Sequence, residues 1–362
     1  MSNKKFIPAG NEKLIYSGRI DFENKNSPKI FFPSSLIKFN FTGKYLCINI
    51  KNHCFTDHKN IIGYFIDKKE GFFEVEINNE NINVEIPIEN NKFEHEFILF
   101  KRQDGSHFFE FNGFYIDEKE NILTASPLPN RKIECYGDSV CVGYVNEIIE
   151  NVGKVDPEIY DGKSDNSWFS FPTITSRLLN TQLHNISQGG MALLNGTGYC
   201  FSPFFSGLET IYDKLCFIPN YHLDKPLSSL TNWDFNNYIP NLVLIAIGQN
   251  DPHLDNSPDN DIRDFNYRNK WKSKYKEIIS VLSGKYPKTN FILMTTILMH
   301  DKEWDNAIDE IKFELKNEKI HRFYFRRNGQ ATPGHPRIPE QEEMAVELTE
   351  YIISLGDDIW IN

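Results

Sequence analysis

Ile133-Glu134-Cys135-Tyr136-Gly137-Asp138-Ser139-Val140 runs from alternating apolar and polar residues into an abrupt break. The first four predict a strand, and Gly-Asp-Ser predicts a tight turn where the chain leaves the sheet. In α/β folds ligands bind at the carboxyl ends of strands, so a serine at that turn faces substrate. Gly137 permits a backbone turn that a Cβ would obstruct. Asp and Ser also cap helices and favour turns, so the tripeptide alone does not separate a nucleophile from a cap. A catalytic reading needs a base, an oxyanion hole and a scaffold from elsewhere in the chain.

Downstream the pattern alternates between strand and helix. Gln182-Leu-His-Asn-Ile-Ser predicts a second strand, ending at Gln188-Gly189-Gly190. Asn241-Leu-Val-Leu-Ile-Ala-Ile-Gly predicts a third, apolar throughout as a strand buried on both faces must be. Asn290–Thr296 predicts a fourth and Ile320–Phe325 a fifth. Helices are expected within 167–180 and at about 265–284, 305–317 and 339–354, the last with Pro339 in its first turn. Such alternation means a five-stranded parallel sheet covered by helices on both faces. The polar, Gly/Asp/Asn-rich stretch 145–166 reads as a long loop beside the serine, and long ordered loops are often functional.

Upstream, residues 1–125 read as all-β. Ser35-Leu-Ile-Lys-Phe-Asn-Phe, Gly43 and Tyr45-Leu-Cys-Ile-Asn-Ile-Lys form a hairpin pattern, and Phe73-Glu-Val-Glu-Ile alternates cleanly. Ser106–Phe111 and Gly113–Ile116 read as the last two of eight or nine short strands. Regular turns between such strands predict a two-sheet sandwich of jelly-roll type. Residues 126–130 form a linker, stiffened by Pro127 and Pro129. Residues 131–362 form the α/β domain.

The chain has 362 residues and a net charge of −11, with no long Lys/Arg run. That argues against nucleic acid or an anionic membrane as the main partner. Aromatics make up 14% of the chain, including 29 Phe, which implies large cores rather than many binding platforms. No window reaches the ~18 consecutive apolar residues of a membrane span. The N-terminal residues lack an apolar h-region, so a cytoplasmic protein is expected. The six cysteines lack zinc-type spacing and read as reduced, with no metal or other cofactor implied.

Four predicted strand ends carry distinctive groups: Gly137-Asp138-Ser139, Gly189-Gly190, Gly248-Gln249-Asn250-Asp251 and Thr332-Pro333-Gly334-His335-Pro336. Each has a bland alternative as a turn, a cap or a loop histidine. In a parallel sheet they open on one edge and can converge. A serine hydroxyl becomes nucleophilic when a base takes its proton, and His335 is the base this arrangement offers. Ser139 N–H, Gly190 N–H and the Asn250 amide are candidate oxyanion donors, each typically contributing ~3 kcal/mol.

The order Gly-Asp-Ser, strand-end Gly, Gly-X-Asn-Asp and late His-Pro resembles the SGNH (GDSL-type) hydrolases over residues 131–355. With a β-sandwich in front, the chain resembles carbohydrate esterase family two, the acetyl xylan esterase-like group. The resemblance implies a jelly roll joined to a flavodoxin-like catalytic domain, and removal of O-acetyl groups from plant polysaccharides or their oligomers. It makes Ser139 the nucleophile, His335 the base, and Gly190 and Asn250 partners of Ser139 in the oxyanion hole, with Gly189 the rival for the glycine role. The family also implies an Asp three residues before the His. Here that position is Thr332, and neither Pro333 nor Gly334 offers a carboxylate. A Ser139–His335 dyad is therefore expected, with a backbone carbonyl near Thr332 orienting the imidazole; Asp251 is the other residue weighed for that task.

The implied partner is an acetylated oligosaccharide, with a homo-oligomer left open. Trp168, Trp233 and Trp304 are candidate sugar platforms against the simpler reading of core tryptophans, and Trp304 is preferred because it follows the fourth strand. Rival readings are an esterase for other acyl chains, a cell-wall sugar deacetylase, and a carbohydrate-binding protein with a decayed site.

Overall fold

The structure, a computed structural model, describes residues 3–77, 80–89, 92–219, 227–254 and 260–361. The chain divides into two compact units, residues 1–128 with 161–163, and residues 129–160 with 164–362.

Among the described residues the first unit consists of two antiparallel sheets. One has the order Lys4–Pro8, His107–Asp117, Cys47–Cys54, Asn81–Glu85, with Lys29–Ile30 also on His107–Asp117. The other runs Ile122–Leu123, Leu36–Thr42, Glu94–Lys101, Asn60–Ile66, Lys69–Val75, with Ile15–Ser17 also on Leu36–Thr42. Alternation decides which face is buried. In Leu36–Thr42, Ile37, Phe39 and Phe41 are almost wholly buried, while Lys38 and Asn40 between them are partly exposed. Phe39 from one sheet stacks on Phe114 from the other, with centroids 4.0 Å apart and planes within 4°. Burying each such ring contributes roughly 1.5–3 kcal/mol, so the many phenylalanines are accounted for largely as core. The two segments expected at 106–111 and 113–116 are one strand, His107–Asp117, with a bulge between Phe111 and Gly113. Gly113, just after the bulge, takes φ +137° inside the strand, where a Cβ would lie 2.1 Å from the Ile7 carbonyl.

The second unit holds a parallel sheet in the order Thr181–Ser187, Arg131–Gly137, Leu242–Ala246, Asn290–Met294, Ile320–Arg322. In chain order this is 2-1-3-4-5, whose crevice lies where the first and third strands part to opposite sides. Leu242–Ala246 is buried at every position, as its unbroken apolar run predicts. Helices Phe171–Leu178, Phe265–Lys285, Lys302–Leu315 and Ile338–Ser354 accompany the sheet. The third begins earlier than its apolar period suggests because Asp301 caps it, accepting from Glu303 N–H. The expected fifth strand shortens to Ile320–Arg322, and an antiparallel hairpin, Lys214–Pro219 with Leu227–Asn232, appears where no strand was expected. Among the described residues no helix is long and apolar enough to cross a membrane. None of the six cysteines is in a disulfide.

Candidate active site

Arg131–Gly137 lies between two parallel neighbours, so its carboxyl end opens into the middle of the sheet edge. Gly137 is required there: a Cβ would lie 2.3 Å from Cys141 Sγ. Asp138 follows in extended conformation and caps the next turn, its Oδ1 accepting from Val140 N–H at 3.0 Å. Ser139 opens the one-turn helix Ser139–Val142, which ends at Gly143 in left-handed conformation. This turn aims Ser139 Oγ at His335, whose Nε2 lies 2.7 Å away.

The other imidazole nitrogen, Nδ1, meets Asp156 Oδ2 at 2.5 Å. Asp156 Oδ1 accepts from His335 backbone N–H at 2.9 Å and from Arg337 Nη2 at 2.8 Å. Ser139, His335 and Asp156 therefore form a continuous hydrogen-bonded relay, and the dyad expectation is corrected to a three-residue arrangement. Thr332 does not orient the ring: its carbonyl accepts from Met299 N–H at 2.9 Å, and its side chain is fully buried. The carboxylate comes instead from the long loop after the serine turn. Gly334 makes that approach possible, since a Cβ there would fall 2.6 Å from the Lys154 carbonyl and 2.7 Å from Asp156 N. Burial pushes the Asp156 carboxyl up, but hydrogen bonds from His335 and Arg337 and the charge facing it outweigh that and hold it well below the usual range.

On the opposite side of Ser139, Asp138 is completely buried and joins three strand ends. Its Oδ2 accepts from Gln249 Nε2 at 2.7 Å and from Asn250 Nδ2 at 3.1 Å, both after the third strand. Gln249 Oε1 in turn accepts from Thr296 N–H at 2.9 Å, after the fourth. Burial pushes the Asp138 carboxyl up; hydrogen bonds from Gln249 and Val140 oppose the shift. The Asn250 amide also reaches the Met191 carbonyl at 3.1 Å, which brings it beside the Gly189-Gly190 turn. Of that glycine pair, Gly190 takes the left-handed conformation, φ +71°, and a Cβ there would meet Tyr199 Cβ at 2.6 Å. Among the described residues Asp251 makes no hydrogen bond to His335, whose ring partners are Asp156 and Ser139. Asp251 is buried, and its Oδ1 accepts from Leu193 N–H at 2.9 Å and Trp271 Nε1 at 2.6 Å. Burial pushes its carboxyl up to about 7.

Trp304 is 1% exposed and packs edge-on against Trp271 and Tyr267, so it forms core and no sugar platform. Trp233 is also buried, against His184, and Trp168 is partly covered by the Arg177 guanidinium at 4.7 Å. The exposed aromatic beside the site is a tyrosine that the sequence did not single out. Tyr199 is 56% exposed, stacks on His253 at 3.7 Å, and donates its backbone N–H to the Gly190 carbonyl. Tyr144 lies against the His335 ring at 4.8 Å and stacks on Tyr160. Asp156 and Gln249 were likewise missed. The signal for Asp156 was the empty acid position before His335 together with an Asp-rich loop next to the serine. For Gln249 it was only its place inside Gly248-Gln249-Asn250-Asp251.

A two-sheet β unit is thus followed by a 2-1-3-4-5 parallel unit with Ser139, His335 and Asp156 gathered at its carboxyl edge. Residues 16–127 match the family model described as carbohydrate esterase 2 N-terminal, and the fold of the chain is that of solved family two carbohydrate esterases. The cellulase/esterase CelE of Acetivibrio thermocellus is 26% identical over 358 residues, 94% of this chain and 39% of that protein. The acetylxylan esterase / glucomannan deacetylase of Cellvibrio japonicus is 26% identical over 243 residues, 65% of this chain and 60% of that protein. The chain thus spans less than two thirds of either curated relative's length. Among solved structures, a family two carbohydrate esterase from Cellvibrio japonicus superposes with TM-score 0.78 at 21% identity, covering 99% of this chain and 100% of that one. One from Clostridium thermocellum, in complex with cellohexaose, gives TM-score 0.75 at 26% identity, covering 96% of this chain and 100% of that one.

Proposed function

We propose that this protein is a serine esterase that removes O-acetyl groups from carbohydrate, of the xylan or mannan oligosaccharide type, through an acyl-enzyme. The observation that carries the proposal is the relay Ser139 Oγ–His335–Asp156, at 2.7 and 2.5 Å. His335 Nε2 accepts the Ser139 proton as Oγ attacks the ester carbonyl, while Asp156 holds Nδ1–H and stabilises the imidazolium. Negative charge gathers on the carbonyl oxygen, and Ser139 N–H, Gly190 N–H and the Asn250 amide donate to it. The two hydrogen bonds from Asn250 are at the long end of the normal range, so an oxyanion can take the place of the Met191 carbonyl as acceptor. The intermediate collapses as His335 returns the proton to the departing sugar oxygen. Water, deprotonated by the same nitrogen, then releases acetate from Ser139.

The carbohydrate part of the reading is supported by the names of the relatives, a cellulase/esterase and an acetylxylan esterase / glucomannan deacetylase. Tyr199 supplies an exposed ring beside Gly190 on which a sugar can stack. The test is acetate release from acetylated xylo- and manno-oligosaccharides by the native protein and by Ser139→Ala. Loss in the variant is expected; unchanged release would refute the mechanism. A preference for nitrophenyl esters of eight or more carbons over the acetate would refute the acetyl specificity.

A further inference from the structure

We infer that Arg337 is a positioning residue for the reaction: it fixes one oxygen of Asp156 so that the other is aimed at the His335 ring. This rests on the esterase reading of the Ser139–His335–Asp156 relay.

The two Asp156 oxygens have different partners. Among the described residues Oδ2 meets only the imidazole Nδ1, whereas Oδ1 takes two donors, His335 N–H at 2.9 Å and Arg337 Nη2 at 2.8 Å. The Oδ1 pair does not change protonation during turnover. It sets the plane of the carboxylate and leaves Oδ2 one direction in which to accept.

The anchor is needed because of where Asp156 sits. Its side chain is 32% exposed, on a loop with no strand or helix at that position, whereas Arg337 is fully buried. Arg337 caps the helix Ile338–Ser354, its own N–H donating to Glu340 Oε2 at 3.0 Å. One helical turn on, Gln341 donates to the Val140 carbonyl and accepts from Phe171 N–H. A single helix start therefore holds both ends of the relay: Gln341 beside Ser139, and Arg337 on Asp156. The arrangement is costly in isolation. Arg337 Nε and Nη1 are buried and, among the described residues, meet no acceptor. A buried guanidinium with unmet donors costs stability, and replacing such groups with apolar residues is often neutral or favourable. Alignment of Asp156 is the return the geometry offers for that cost.

The experiment is a double-mutant cycle on acetyl-ester hydrolysis with Arg337→Gln, Asp156→Asn and the pair, with Arg337→Lys alongside. Misplacing a catalytic group by about 1 Å costs on the order of 100-fold. Arg337→Gln is expected to lower kcat about 10- to 100-fold with KM nearly unchanged, and Arg337→Lys, which keeps a charged donor, to recover part of it. In the Asp156→Asn background Arg337→Gln is expected to add less than about 3-fold, because residues acting through one another are not additive. Equal losses in both backgrounds, or no loss in either single variant, would overturn the inference. Should Arg337→Gln not fold, Arg337→Lys carries the same cycle. A second readout does not need turnover: a far-downfield proton resonance of His335 Nδ1–H is expected in the native protein, and it is expected to broaden or shift upfield in Arg337→Gln. If that resonance moves but Ser139→Ala keeps full activity, the esterase reading falls and the positioning of Asp156 stands. If the resonance is unmoved while Ser139→Ala is inactive, the positioning role falls alone.

Discussion

Replacing Asp156 with asparagine tests how the relay depends on hydrogen-bond direction. Two donors, His335 N–H and Arg337 Nη2, point at the Oδ1 position. The amide of an asparagine must turn its carbonyl toward them, which leaves its NH₂ facing His335 Nδ1. An NH₂ can only donate, so Nδ1 becomes the acceptor and the ring proton moves to Nε2. That nitrogen then has no lone pair for the Ser139 proton. Fixing the wrong tautomer in a Ser-His-Asp site lowers kcat by about 10⁴-fold, and a loss of about 10³- to 10⁴-fold is expected here. Asp156→Ala, which leaves Nδ1 free to donate to water, should lose less than Asp156→Asn. The assay is steady-state hydrolysis of nitrophenyl acetate and of an acetylated oligosaccharide, with melting temperature as a fold control. A loss below about 10-fold in Asp156→Asn, or a greater loss in Asp156→Ala, would refute the assignment of Asp156.

Three further outcomes follow from particular contacts. Tyr199→Ala is expected to raise KM for acetylated oligosaccharide while leaving nitrophenyl acetate nearly unaffected, since the ring is exposed beside Gly190; equal effects on both substrates would contradict a sugar platform. Trp304→Ala is expected to cost stability, about 3–5 kcal/mol as for other buried aromatics, measured by urea unfolding, rather than to change substrate preference. For Asp251 the folded carboxyl is raised to about 7 by burial. It therefore contributes stability that is complete below the ordinary aspartate range and is lost as pH rises toward and through 7. The slope is up to ~1.4 kcal/mol per pH unit. Asp251→Asn keeps an acceptor for Leu193 N–H and Trp271 Nε1 and should flatten that decline; an unchanged slope in the variant would contradict it.

The chain's own pattern made the architecture legible. Leu242–Ala246 could only be a doubly buried strand, and Ile37, Phe39 and Phe41 alternate as a half-buried one must. Elements with local signals that conflict were misread. The gap expected at Asn112 is a bulge inside one strand, and the left-handed backbone of Gly113 beside it lies against the neighbouring strand at Ile7 and Pro8. At the site, Ser139 and His335 could be singled out because each sits in a motif at a strand end, and the two meet at 2.7 Å. Asp156 could not, because it sits in no motif at a strand end and lies in a loop with no periodicity. Its approach depends on Gly334, which looks like an ordinary turn glycine until the loop is in place. Trp304 illustrates the opposite error: its position after the fourth strand suggested a site, but its burial against Trp271 follows from the helix that Asp301 starts.

The central claim is that Ser139 is an activated nucleophile, and labelling with a fluorophosphonate that reacts only with activated serines tests it most directly. One label per chain is expected, mapped by peptide mass to the segment containing Gly137-Asp138-Ser139, with esterase activity lost in proportion and no label on Ser139→Ala. Labelling of another residue with Ser139 untouched, or full esterase activity in fully labelled protein, would contradict the account.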